Sequence, residues 1–191
     1  MTTKSDTKSN PIINILSQLR TSQLFWIFSF TILTAIAAQI TIPVRPVPFT
    51  LQTMLVLLAG ALLGARNGAY SQILYIALGV VGLPLFAYGT FGPAVLFGPT
   101  GGYLIAFPIG AYLVGFLIQK NKSYLGVVIS MFAANILIII VGTLFLYIFY
   151  LQNFSEAVTA GAAIFTIWMV IKVFAAASIY FAISKKFETL P

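Results

Sequence analysis

Six apolar runs follow one another with almost no charge between them: Leu24 to Ile40, Leu51 to Leu63, Ala69 to Leu83, Gly101 to Ile118, Tyr124 to Leu151, and Ala160 to Ile183. A chain built this way cannot cover its own surface in water, because charged residues make up only 7% of its 191 residues and hydrophobic ones 60%. The runs predict an all-α integral membrane protein with six transmembrane helices. The second and third runs are shorter than the roughly 20 residues a crossing helix needs. They must extend through their flanks or lie partly inside the protein, and short segments flanked by Gly and Pro point to a cavity.

The cations predict the orientation. If the spans alternate sides from a cytoplasmic N-terminus, Lys4, Lys8, Arg20, Arg66, Lys120, Lys122, Lys185 and Lys186 all fall inside, which is eight of the ten basic residues. Both termini are then cytoplasmic. Residues 1–23 form a cytoplasmic segment, 24–184 the membrane domain, and 185–191 a tail. Asn10 followed by Pro11 opens a short helix with Ile12, Ile15, Leu16 and Leu19 on one face, suited to the membrane interface. Ala35-Ile36-Ala37 resembles a signal-peptide cleavage site, but five further apolar runs favour a first span.

Much chemistry is excluded outright. The chain has no Cys and no His, so thiolates, imidazole bases and the usual zinc ligands are absent. Its acids are Asp6, Glu156 and Glu188, none inside a long apolar run, which leaves no carboxylate relay within the membrane. No GxxxxGK[ST] motif occurs, so any ATP hydrolysis belongs to another chain. The basic residues sit where topology explains them, and nucleic acid is not an expected partner.

Two cations are left over. Lys172 lies near the middle of the last run, where an isolated charge costs a few kcal/mol and no intramembrane acid can pair with it. An anionic ligand group would solvate it; snorkelling or a water-filled crevice are the other readings. Arg45 stands in the first external loop, TIPVRPVPFTLQT from Thr41 to Thr53, whose three prolines predict a stiff cover. A second loop, Gly82 to Tyr103, carries no charge and recurrent Gly and Pro, so it is not a continuous helix. Irregular backbone at membrane depth must be buried or line a cavity, and Phe86, Tyr88, Phe91, Phe97 and Tyr103 would give that cavity rigid walls. Anchoring of an ordinary loop at the interface is the plainer alternative.

Small residues mark docking faces. Thr31, Thr34, Ala35 and Ala38 form one stripe on the first span, Gly60 and Gly64 a GxxxG pair, and Ala175 to Ala177 a smooth patch on the last span. Packing within the chain is the default for each. The first-span stripe is also a candidate for docking another subunit.

The stretch PVPFTLQTMLVLLAGALLGARNGAYSQILYIALGVVGLPLFA, followed by GPTGGYLIAFPIGAYLVGF, closely resembles the BioY family, the biotin-binding S components of energy-coupling factor (ECF) transporters. The resemblance runs from about Pro43 through Phe116. It implies a six-helix protein of the cytoplasmic membrane that captures biotin from outside without a cofactor of its own. It also implies partners: a transmembrane coupling subunit and two ATPase subunits. The family pattern implies that Pro46 to Gln52 close over the ligand and that Gln52 bonds its ureido group or carboxylate. Phe49, Phe86 and Tyr88 would wall the fused rings, with Thr50 and Tyr75 beside them. The run Gly98 to Tyr103 would give close backbone approach at Gly98 and Gly101 and the hydroxyls of Thr100 and Tyr103. The family's last helix carries an Asp three residues before its Lys, where this chain has Met169 before Lys172. Either Asn135 on the fifth run takes over as partner, or the ligand sits differently. The docking stripe keeps the family's spacing with Thr31 and Thr34 replacing Ala.

Two other classes stay open from sequence alone. A self-sufficient carrier or channel for biotin or another small anionic vitamin would need no ATPase partner. An intramembrane enzyme would have to rely on unusual Ser or Lys chemistry.

Overall fold

The computed structural model describes residues 22–162 and 166–185. The interfacial helix expected at Asn10 and Pro11 lies outside the described residues, as does the tail beyond Lys185. Helix α1 (Gln23–Gln39) opens where the Ser22 hydroxyl accepts from the Phe25 N–H at 3.4 Å, satisfying a first-turn donor. A two-residue ribbon follows, in which β1 (Thr41–Ile42) pairs antiparallel with β2 (Phe49–Thr50), Thr41 opposite Thr50. This ribbon departs from the all-helical expectation. Pro43, Pro46 and Pro48 lack amide donors and cannot continue a helix, so the chain closes a hairpin loop that contains a cis Arg45–Pro46 bond.

Helix α2 (Gln52–Val81) is not one rod, because Gly64 breaks it with φ 78° and ψ 177°. Gln52 and Tyr75 would be about 34 Å apart along a straight helix, yet the Gln52 amide donates to the Tyr75 hydroxyl at 2.6 Å. The chain therefore reverses at Gly64, and residues 52–63 and 65–81 lie side by side. The two short apolar runs are these two arms. Gly64 is the turn, while its GxxxG partner Gly60 is a packing position: a Cβ there would lie 2.1 Å from the Ala111 carbonyl oxygen. Residues 52–63 are short because the chain on either side of them is loop and turn, and they are sealed inside the protein, with Val56, Leu57 and Ala59 fully buried.

Helix α3 (Gly101–Lys120) packs along both arms of α2. Helix α4 (Tyr124–Leu146) continues through a π-helical turn, Tyr147–Leu151. The sixth apolar run then begins as a separate short helix, α5 (Phe154–Gly161), whose first N–H groups are capped by the Asn153 side chain. Helix α6 (Thr166–Ser184) follows and packs on α2 and α4. By length and composition, α3, α4 with its π turn, and the stretch from α5 through α6 are apolar enough to cross a membrane. Ile32, Ile36, Ile105, Ile109, Ile129 and Ile140 are exposed on the outside of the helices, an outward apolar surface that only lipid covers at low cost.

The first-span stripe is used within the chain. Thr31, Thr34 and Ala38 are buried, the Thr31 hydroxyl donates to the Ser71 carbonyl at 2.9 Å, and the Gln72 amide donates to Thr34 Oγ1 at 3.3 Å. Ala35 is partly buried against the core cluster that includes Tyr75 and Phe86. In this arrangement the stripe joins α1 to residues 65–81. Ala176 and Ala177 likewise lie in the interior of the helix bundle.

Candidate binding site

Lys172 is buried, with 7% of its surface exposed. Its Nζ donates to Thr53 Oγ1 at 2.7 Å and to the Thr50 carbonyl at 3.1 Å. Those oxygens flank the start of α2, where the chain leaves β2. An ammonium carries three donors, so one is uncommitted among the described residues. Asn135, one of the two alternatives the sequence left open for it, is not bonded to it. Asn135 instead sits on α4, 2% exposed, and its Nδ2 has no hydrogen-bond partner. A buried amide donor left unmade costs about 1–3 kcal/mol, which marks the position as built for something.

Lys172 and Asn135 both line one cavity of about 220 Å³. A single water needs only about 10–15 Å³ by this measure, so the space is sized for a small molecule. The proline loop roofs it through Pro46, Val47 and Pro48, and Phe86, Tyr88, Leu104, Phe107, Ile138 and Met169 supply apolar walls. The polar groups are few and local, as in a site that fixes orientation by a handful of contacts and gains affinity from apolar burial.

The walls are held from behind. Phe86 is 2% exposed and meets the Tyr75 ring edge-on at 5.6 Å. It seats against α2 at Gly79, where a Cβ would come within 2.3 Å of the Phe86 ring. Gly142 does the same for Tyr103, whose ring lies 2.3 Å from any added Cβ. Tyr88 has φ 61°, an unusual conformation for a bulky residue. Gln39 brackets it: its amide donates to the Phe86 carbonyl at 3.0 Å and its oxygen accepts from the Gly89 N–H at 3.0 Å.

Of the residues expected from the sequence, Thr50, Gln52, Phe86, Tyr88, Thr100, Tyr103, Asn135 and Lys172 line the cavity. Phe49, Tyr75, Gly98 and Gly101 do not. Phe49 points to the Trp168 ring at 6.1 Å. Tyr75 stands behind Gln52 and donates to the Leu85 carbonyl at 3.2 Å. Gly101 serves loop packing, since a Cβ there would meet the Leu96 carbonyl at 1.9 Å. Two hydroxyl or amide groups expected to face a ligand are otherwise engaged. Tyr103 donates to the Gly161 carbonyl at 2.8 Å, and Gln52 accepts from Thr50 at 2.8 Å while donating to Tyr75. Sequence reading missed Thr53, Gly79 and Gly142. A glycine inside an apolar helix, which lowers helix stability by about 1 kcal/mol, was the available signal for the last two.

The BioY family model matches residues 6–189. The chain is 38% identical over 156 residues to the "Biotin transporter BioY" of Thermotoga maritima, covering 82% of this chain and 92% of that one. It is 35% identical to "Biotin transporter BioY2" of Lactococcus lactis, covering 72% and 76% respectively. Among solved structures, the S-component for biotin from an ECF-type ABC transporter superposes with a TM-score of 0.81 at 28% identity, covering 90% of this chain and 93% of that one.

Proposed function

Because the chain belongs to the BioY family, we propose that it binds biotin in the cavity beneath the proline loop, as the substrate-binding subunit of an ECF-type transporter. The observation that carries the reading is the pairing of an ammonium and an orphan amide donor in one apolar, ligand-sized space. Biotin has a complementary make-up: a compact bicyclic core with a short aliphatic chain, a ureido carbonyl at one end and a carboxylate at the other. Lys172 neutralises the carboxylate, for which no acidic side chain competes among the described residues lining the cavity. The Asn135 N–H groups meet an acceptor of the ligand. Met169 occupies cavity wall where the family pattern carries an acid, leaving the ammonium free for the ligand anion.

The same proposal gives the membrane arrangement. The two arms of α2, with α1, α3, α4 and α6, make six crossings in the cytoplasmic membrane, and the positive-inside distribution supports cytoplasmic termini. The cavity then opens outward. Transport requires a coupling subunit and two ATPase subunits, since this chain has no nucleotide-binding motif. Catalysis is no part of the reading, in line with transporter relatives.

Equilibrium binding of radiolabelled biotin to the purified chain tests it. One biotin per chain is expected, with affinity lowered about 10–100-fold in Lys172→Met, the size of a lost hydrogen bond to a charged group. Absence of saturable binding by the folded protein would refute the assignment.

A further inference from the structure

A second cavity, of about 490 Å³, lies beside the turn at Gly64 and shares no lining residue with the first. Along α3 the first cavity is lined by Tyr103, Leu104 and Phe107 and this one by Tyr112, Phe116 and Gln119, so the two occupy successive stretches of one helix. The floor of the second is the turn at Gly64. That floor is rigid, because α3 presses on it so closely that a Cβ at Gly115 would lie 2.3 Å from the Ala65 nitrogen.

The lining is specific in character. Gln23, Arg66, Asn67 and Gln119 are among the residues that line the space, and among the described residues no acidic one lines it. The Gln119 amide nitrogen lies 3.5 Å from the position a Gly64 Cβ would take, so it reaches over the turn. One wall is aromatic: Tyr112 and Phe116 stack nearly parallel at 6.3 Å, and both are exposed on the outside of α3. Lys120 holds its Nζ 4.3 Å over the Phe116 ring. A donor-rich pocket thus opens directly onto an exposed aromatic surface at one rim of the helix bundle.

We infer that this cavity holds the phosphate headgroup of an anionic phospholipid, with Arg66 and the amides around the phosphate and the acyl chains along Tyr112 and Phe116. A free phosphate ion would use the same donors but has no use for the apolar wall, so the geometry favours the lipid. The site does not depend on the reading of the first cavity, and its test does not use biotin.

Native mass spectrometry of the full chain, delipidated and then titrated with phosphatidylglycerol or phosphatidylcholine, decides it. Phosphatidylglycerol is expected to be retained in preference, and Arg66→Gln to reduce that retention about fivefold, the weight of one basic group at an anionic surface. Lys122→Gln, an exposed cation outside the cavity, should leave it unchanged, and Arg66→Lys should restore part of it by keeping the charge without the fork. Equal retention of the two lipids, or equal losses in the Arg66 and Lys122 variants, would overturn the proposal. Displacement of bound phosphatidylglycerol by millimolar inorganic phosphate would overturn it in favour of a phosphate site.

Discussion

Asn135 is the residue whose state says most about the protein without ligand. Its buried, unpartnered Nδ2 is a standing penalty that a ligand acceptor removes. Replacing it with the similarly sized Leu should therefore stabilise the empty protein by about 1 kcal/mol, raising Tm by about 2–4 °C for a chain of this length. The same variant should show a smaller biotin-induced rise in Tm than the native chain. Thermal unfolding in detergent with and without biotin reads both effects, and a lower Tm in the empty variant would show the amide to be satisfied. At this scale the sequence was informative about charge and silent about partners. Lys172 stood out as a cation with no acid nearby. Its oxygens come from Thr50 and Thr53, 122 and 119 residues earlier, and nothing in a hydroxyl or a carbonyl announces such a pairing. Gln52 and Tyr103 were legible as polar residues in the right place, but not as groups already bonded within the protein.

Among the elements, the turn at Gly64 governs the rest, because it sets the two arms of α2 side by side beneath the cavity. With φ 78° and ψ 177° the position lies in backbone space essentially reserved for glycine and strains any L side chain by roughly 1–3 kcal/mol. Gly64→Ala should lower thermal stability by about that amount and leave biotin stoichiometry intact. Gly115→Val should be far worse, since even a Cβ at that position meets the Ala65 nitrogen at 2.3 Å; the fraction of chain recovered folded after size exclusion separates the two. The apolar runs were readable because lipid imposes long uninterrupted hydrophobicity. The ribbon of β1 and β2 was not, since two-residue strands carry no period. Nor was the end of α5 at Gly161, where an apolar composition continues.

For the whole molecule, the absence of cysteine makes the proposed topology directly measurable. Single cysteines at Arg45 and Lys122, probed in intact cells with a membrane-impermeant maleimide, should label from outside at position 45 and only after permeabilisation at 122. The reverse pattern would invert the proposed orientation. Proteoliposomes containing this chain alone should bind biotin without accumulating it, whereas ATP-driven accumulation should appear when the coupling subunit and its ATPases are added. Thr31, Thr34 and Ala38 recur at a spacing legible as a contact stripe, but spacing cannot say which helix is contacted, and the hydroxyls of Thr31 and Thr34 bond to residues 71 and 72 of the same chain.

Competition of radiolabelled biotin by unlabelled biotin and by its neutral primary amide, on the native chain and on Lys172→Met, tests whether the buried ammonium reads the ligand's carboxylate in this cavity. The native chain should prefer the acid over the amide by about 10–100-fold, as expected for a hydrogen bond to a charged group, and Lys172→Met should bind the two nearly alike. Equal preference in both proteins, or discrimination that survives the loss of Lys172, would contradict it.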